Sequence, residues 1–261
     1  MSDYVIQVKN LNKSFKGAFW EKEKQVLKNV SFSIPKNKTT GFVGNNGSGK
    51  TTSIKCLLQF IFKNSGEILF FDQELNIHNK RKIGYLPERP YLYEFFTAYE
   101  FLKFHYQLSV SGSKKSNLET NYSAKTEIEL MNEKIDNVLN KVGLVNAKSK
   151  YLRSFSKGML QRAGLAQALI HEPELLILDE PMSGLDPDGR MMVKDILKEE
   201  KKKGISIFFS SHLLQDMEEL CDHLVVINQG EIIYNDDLKK FMSQFPSLEE
   251  AFRFKQNEKM L

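Results

Sequence analysis

Residues 44–51 read Gly-Asn-Asn-Gly-Ser-Gly-Lys-Thr, an uninterrupted match to the phosphate-binding pattern G-x-x-x-x-G-K-[ST]. The pattern has meaning in one setting only: a buried strand leading in, a loop, and a helix leading out. Both flanks comply. Thr39-Thr40-Gly41-Phe42-Val43 is short and apolar enough for a buried strand, and Thr52-Ser53-Ile54-Lys55-Cys56-Leu57-Leu58 has the spacing of a helix packed on one side. Glycines without a Cβ let the backbone N–H groups of Gly44, Asn45, Asn46, Gly47, Ser48 and Gly49 converge on phosphate oxygens, and the helix N-terminus adds partial positive charge. Lys50 is then placed to reach the β- and γ-phosphates, Thr51 to offer its hydroxyl to Mg²⁺, and Thr52 to close the binding segment.

Composition narrows the alternatives. At 261 residues the chain can bury a real core as one large domain or two small ones. The net charge of +4 is a small excess over 33 acidic residues and gives no argument for nucleic acid. Cys56 and Cys221 lie far apart without metal-ligand spacing and read as reduced buried thiols, which fits a reducing cytosol. No run approaches the roughly 18 apolar residues a membrane span needs. If the protein acts at a membrane, another chain is expected to cross it.

Along the chain, strands are predicted at 5–8, 30–34, 67–71, 82–86, 175–178 and 205–211, and a hairpin at 224–227 and 231–234 turning at Gly230. The stretch 17–25, with the only tryptophan, Trp20, reads as a surface loop within a β-hairpin. Thr97-Ala98-Tyr99-Glu100 is a capping box that opens a helix running through Leu108. Ser, Lys, Asn, Gly and Thr dominate 109–126, which reads as a mobile insertion. Helices are predicted over 127–142, stopped by Gly143, and over 157–170.

Leu175-Leu176-Ile177-Leu178 is unalternating, as in a strand of a parallel sheet covered on both faces, and it runs into Asp179 and Glu180. Ligands of open parallel sheets bind beyond the carboxyl ends of the strands. Three strands here end in polar chemistry: the phosphate loop, Asp179-Glu180, and His212. Asp179 is the expected Mg²⁺ ligand beside Thr51. Glu180, on the opposite side of an extended strand, is expected to polarise an attacking water.

In this order, these residues resemble the nucleotide-binding subunit of the ATP-binding cassette (ABC) transporter family. Besides the Walker A loop at 44–51, residues 175–181 are similar to Walker B with its catalytic glutamate, Ser183-Gly184-Leu185-Asp186 to the D-loop, and Ser210-Ser211-His212 to the H-switch. The signature resembles Phe155-Ser156-Lys157-Gly158-Met159, followed by Gln161-Arg162. Ser156 and Gly158 match L-S-G-G-Q; Phe155, Lys157 and Met159 depart. Two directions for Lys157 stand open, toward phosphate or into solvent. Phe15 is similar to the A-loop aromatic that stacks on adenine. Glu88, in Gly84-Tyr85-Leu86-Pro87-Glu88, occupies the Q-loop position usually held by glutamine, a form similar to export-type cassettes serving drug, lipid or polysaccharide efflux.

The resemblance implies an α/β P-loop NTPase with a mainly parallel core sheet, an N-terminal antiparallel β-subdomain and an inserted α-helical subdomain. It divides the chain into an ATPase domain over 1–240 and a short C-terminal extension over 241–261. Core and β-subdomain take 1–87 and 166–240; the helical subdomain takes 88–165. It further implies ATP and Mg²⁺ as cofactors, catalytic roles for Lys50, Glu180 and His212, and metal contacts from Thr51, Asp179 and Glu88. The signature, Ser156 to Met159, is expected to act in trans across a head-to-tail homodimer or heterodimer, with Asp186 in its D-loop. Transmembrane permease subunits are the expected partners, docking near Tyr91, Tyr93, Phe95, Phe96 and Tyr99, and no nucleic acid is expected. The expected location is cytoplasmic, peripheral on the membrane through those partners. A soluble relative that clamps nucleic acid or a ribosome is the alternative. Such relatives usually carry two cassettes or a long coiled-coil insert, whereas one phosphate loop and one signature occur here.

Overall fold

The structure, a computed structural model, describes residues 2–16, 23–110 and 124–258. Trp20 and the centre of the expected insertion lie outside the described residues.

The chain opens with two long antiparallel strands, β1 (Tyr4–Phe15) and β2 (Lys24–Pro35). Both outrun their predicted cores because register shifts let the alternation drift without breaking the pairing. A short buried strand, β3 (Thr39–Val43), enters the phosphate loop, and α1 (Lys50–Leu57) leaves it. Then come β4 (Ser65–Phe70), the single turn α2 (Ile77–Lys80) and β5 (Ile83–Leu86).

The helical region follows. In α3 (Ala98–Val110) the predicted capping box is reciprocal: Glu100 N donates to Thr97 Oγ1 at 3.2 Å and Thr97 N to Glu100 Oε2 at 2.8 Å. Next is α4 (Ala124–Lys141), so the helices claim both margins of the segment predicted as an insertion. Gly143, at φ +64°, follows α4. Ser156 caps α5 (Lys157–Leu169), its Oγ accepting from Met159 N at 3.2 Å.

The remainder alternates strand and helix: β6 (Leu175–Asp179), α6 (Pro187–Lys202), β7 (Ser206–Ser210), α7 (Leu214–Leu220), β8 (His223–Asn228), β9 (Glu231–Asp237), α8 (Leu238–Met242) and α9 (Leu248–Glu258). Asp186 caps α6, accepting from Gly189 N at 2.9 Å, with Pro187 at the first helical position.

Two sheets result. One is antiparallel, ordered β2-β1-β4; the other is ordered β5-β6-β7-β3-β8-β9 and is parallel except for β9. The parallel sheet separates two apolar cores. Leu175 and Ile177 of β6 face the antiparallel sheet and α1, beside the mutually packed rings of Phe32, Phe42 and Phe208. Leu176 and Leu178 face the helices. This alternation on a fully buried strand is why the sequence shows no period there. The last segment also joins the helical-side core, since Leu248 and Ala251 are fully buried and α9 packs on α7.

Among the described residues, no helix is long and apolar enough to cross a membrane.

Candidate functional site

Steric limits set the shape of the phosphate loop. A Cβ at Gly44 would stand 2.3 Å from Ile227 O, and Gly47 and Gly49 hold φ of +79° and +112°. The loop is tied to the β8–β9 turn, where Gly230 N donates to Ser48 O at 3.0 Å and Gly230 O accepts from Lys28 N at 2.8 Å. A side chain at Gly230 would strike Val26 O, so this turn, the loop and β2 meet at van der Waals limits.

A cleft of about 850 Å³ opens on this loop. Of the sequence-predicted residues, Asn46, Gly47, Gly49, Lys50, Thr51, Thr52, Glu88, Glu180 and His212 line it. The structure thus brings four distant segments to one place. Gly44 and Asn45 border an adjoining cleft with Asn46 and His212, while Ser48 is buried in the loop. Ser183, from the D-loop match, also lines the main cleft, and Lys24, Gln25, Val26 and Gln229 complete it without a local signal in the sequence. A larger cleft, about 1080 Å³, lies at the opposite ends of the strands. Its charges are matched with one another, as in Lys82–Glu174 and Lys134–Glu172, and it holds no comparable convergence.

Lys50 is buried, with Nζ donating to Gly44 O at 2.6 Å. Burial draws its pKa below the usual lysine value, while Glu180, Asp179 and Glu88 push it up. Asp179, 1% exposed, is raised above the usual carboxylate range by burial and, less strongly, by Glu88 and Glu180. Hydrogen bonds from Ser210 and Thr51 hold it down. Ser210 Oγ donates to Asp179 Oδ1 at 2.7 Å and accepts from Glu180 N at 2.9 Å. In the sequence Ser210 stands out only as a neighbour of His212.

Glu180 departs from the expected extended geometry. The strand ends at Asp179, and Glu180 turns with φ +53°, a left-handed conformation that costs a non-glycine residue about 1 kcal/mol or more. Its side chain therefore shares the cleft with Lys50 instead of lying on the far side of a strand. Glu180 Oε2 lies 2.8 Å from His212 Nδ1.

The remaining predicted residues lie outside the main cleft. Phe15 is partly exposed at the end of β1, paired across the strand with cleft-lining Lys24, and Lys13 Nζ sits 4.8 Å from its ring centre. Ser156 and Lys157 are exposed, while Met159 packs partly into the helical-side core. Lys157 is exposed, and its side chain runs along the 183–186 turn. Its stem covers Gly184, where an added Cβ would stand 2.7 Å from Lys157 Cε. Asp186 directs its carboxylate to the α6 cap.

Among the described residues, no three His, Cys, Asp or Glu side chains form a metal cluster. Mg²⁺ takes one or two protein oxygens and completes its shell with substrate phosphate and water. Thr51 and Asp179 supply hard oxygen donors in contact, beside the further carboxylates of Glu88 and Glu180.

A phosphate loop between a buried parallel strand and a helix, with an acidic strand end facing it, defines a P-loop nucleotide-binding domain. The family profile for ABC transporter matches residues 27–183. The chain belongs to the ABC transporter family, as its ATP-binding, ATPase component. It is 39% identical over 242 residues to an uncharacterized ABC transporter ATP-binding protein of Nostoc, covering 91% of this chain and 68% of that protein. It is 36% identical to the lantibiotic transport ATP-binding protein SrtF of Streptococcus pyogenes, covering 95% and 96%. The bacitracin transport ATP-binding protein BcrA of Enterococcus faecalis is also 36% identical, over 88% of this chain and 68% of that one. A solved ATP-binding subunit of an ABC transporter superposes with a TM-score of 0.77 at 28% identity, covering 97% and 99%.

Proposed function

We propose that this chain hydrolyses ATP to drive export through separate membrane subunits, with Glu180 as the general base. The observation that carries the reading is the 2.8 Å contact between Glu180 and His212 at the edge of the cleft that Lys50 lines. A base must be aimed as well as present, and an imidazole on one carboxylate oxygen leaves the other free for a water. The backbone of the 44–51 loop and Lys50 bind the phosphates; Thr51 and Asp179 hold Mg²⁺, with Glu88 nearby. A cation held there would neutralise charge on the phosphate oxygens. His212 orients Glu180, and Phe15 stands beside the cleft mouth as the adenine contact.

Likeness to transport ATP-binding proteins for lantibiotic and bacitracin supports a role in transport, and the export direction rests on the Glu88 form of the Q-loop. Ser156, Lys157, Gly158 and Met159 sit away from their own chain's cleft, as residues reaching the nucleotide of a second copy or a paralogue would. The same reading assigns residues 88–165 to a helical subdomain that receives the membrane partner, and places the chain on the cytoplasmic face of the membrane. Exposure divides the aromatic group there. Tyr91, Tyr93 and Phe95 are exposed, whereas Phe96 and Tyr99 pack against the core.

The test is ATP turnover by the purified chain and by Glu180→Gln. Turnover is expected to fall roughly 10²–10⁴-fold, while ATP still drives dimerisation measured by light scattering. Parental hydrolysis by the variant would remove Glu180 from the base role.

A further inference from the structure

Glu180 is held in its left-handed turn from both sides. Ser210 Oγ accepts from its N–H, and on the other side Gln161, on α5, reaches across from a position 4% exposed. Gln161 Nε2 lies 3.4 Å from Glu180 O and 3.3 Å from Pro181 O, so one amide faces two successive carbonyls. Ser183 N also donates to Glu180 O, at 3.0 Å. No other side chain among those described donates a hydrogen bond to this pair of carbonyls.

We infer that Gln161 is a positioning residue for hydrolysis: through the backbone of Glu180 and Pro181 it keeps the Glu180 carboxylate aimed into the cleft. The inference rests on the reading of Glu180 as base. The chemistry requires a donor of this reach. Buried carbonyls need a partner, and an amide presents two N–H groups, whereas a methionine of similar length presents none. Glu180 occupies a backbone well that an L residue leaves readily once its restraints weaken. Its carboxylate would then drift away from His212 while the phosphate loop stayed intact. Neighbouring Arg162 serves another purpose, donating to Val142 O and Gly143 O at the end of α4, each at 3.2 Å.

The experiment compares Gln161→Met, Gln161→Asn and Glu180→Gln, alone and combined, in the purified full chain. kcat and KM for MgATP are measured, with binding of a fluorescent ATP analogue and thermal midpoint alongside. Gln161→Met is expected to lower kcat roughly 10- to 100-fold, to leave KM and analogue binding within about twofold, and to add no further loss to the residual turnover of Glu180→Gln. Gln161→Asn, which keeps the amide but withdraws it by one methylene, is expected to fall between Gln161→Met and the parent. It carries the test alone should Gln161→Met not fold. Parental kcat in the Gln161 variants with a disabled Glu180→Gln would overturn the positioning role and leave the base intact. A loss that multiplies with that of Glu180→Gln, or one confined to KM, would overturn it equally. Parental turnover in Glu180→Gln would instead defeat the base assignment.

Discussion

Ser210 joins two residues with one hydroxyl, donating to Asp179 and accepting from Glu180 N. Asp179 is buried and Glu180 half-buried, so Ser210→Ala leaves a buried carboxylate and a partly covered N–H short of a partner. A loss of about 1–3 kcal/mol is expected, read as a lower urea midpoint with unchanged slope. Thr51 still donates to Asp179, which keeps the effect below that of stripping the carboxylate bare. At this scale the sequence is uneven evidence. Residues 44–51 are legible because their chemistry is contiguous, and Asp179, Glu180 and His212 because each ends an apolar strand. Ser210 and Gln161 are not, since their partners lie 30 or more and 19 or more residues away and only tertiary folding brings them together. Lys157 shows the same limit: its spacing could not say that its stem would lie on Gly184.

Between elements, α3 and the end of α5 bring two half-buried histidines within electrostatic range. Burial holds His105 below the usual histidine pKa of 6.5, and His171 lowers it further. His171 is also lowered, chiefly by burial, with its bond to Ile83 O at 3.1 Å opposing. The folded chain therefore binds fewer protons than the unfolded one once pH drops below about 6.5, so stability rises with pH up to that value and is lost as pH falls beneath it. The thermal midpoint is expected to drop between about pH 7 and about pH 5.5. A variant carrying His105→Phe, which suits the rings of Phe101 and Phe104, and His171→Gln, which keeps a donor, should show a shallower slope in the same titration. Among the helices, those with apolar spacing beside a clear cap or stop, α3, α4 and α5, are readable in the sequence. The long α6 is masked by charge, although Asp186, Pro187 and the spacing of Val193, Ile196 and Leu197 were available signals. Its lysines are matched in space by acids of α7, with Lys194 and Lys198 both on Glu219 at 2.6 Å.

For the whole molecule, the exposed aromatics beside Glu88 are the natural place to separate ATP chemistry from coupling. Tyr91 is 94% exposed and Phe95 78%, with no contact to the phosphate-loop cleft. Large apolar side chains so exposed mark interaction surfaces when they cluster. Replacing both with serine is expected to leave the ATPase rate of the purified chain within about twofold, since neither touches the cleft or the core, while abolishing co-fractionation with membranes. Retained membrane association would move the docking site elsewhere. The overall architecture is legible through the ordered motifs that carry the family resemblance, whereas the unalternating strands by themselves point only to a parallel sheet covered on both faces. The length of the β1–β2 ribbon is not legible, because bulged pairing erases the period on which such a reading depends.

The parallel sheet divides the apolar interior into two groups of buried side chains with no member in common. Substitutions on opposite sides of such a partition combine nearly independently. Truncations among Phe32, Phe42 and Phe208 on one side and among Ile135, Leu139 and Val142 on the other are therefore expected to add in their cost to stability.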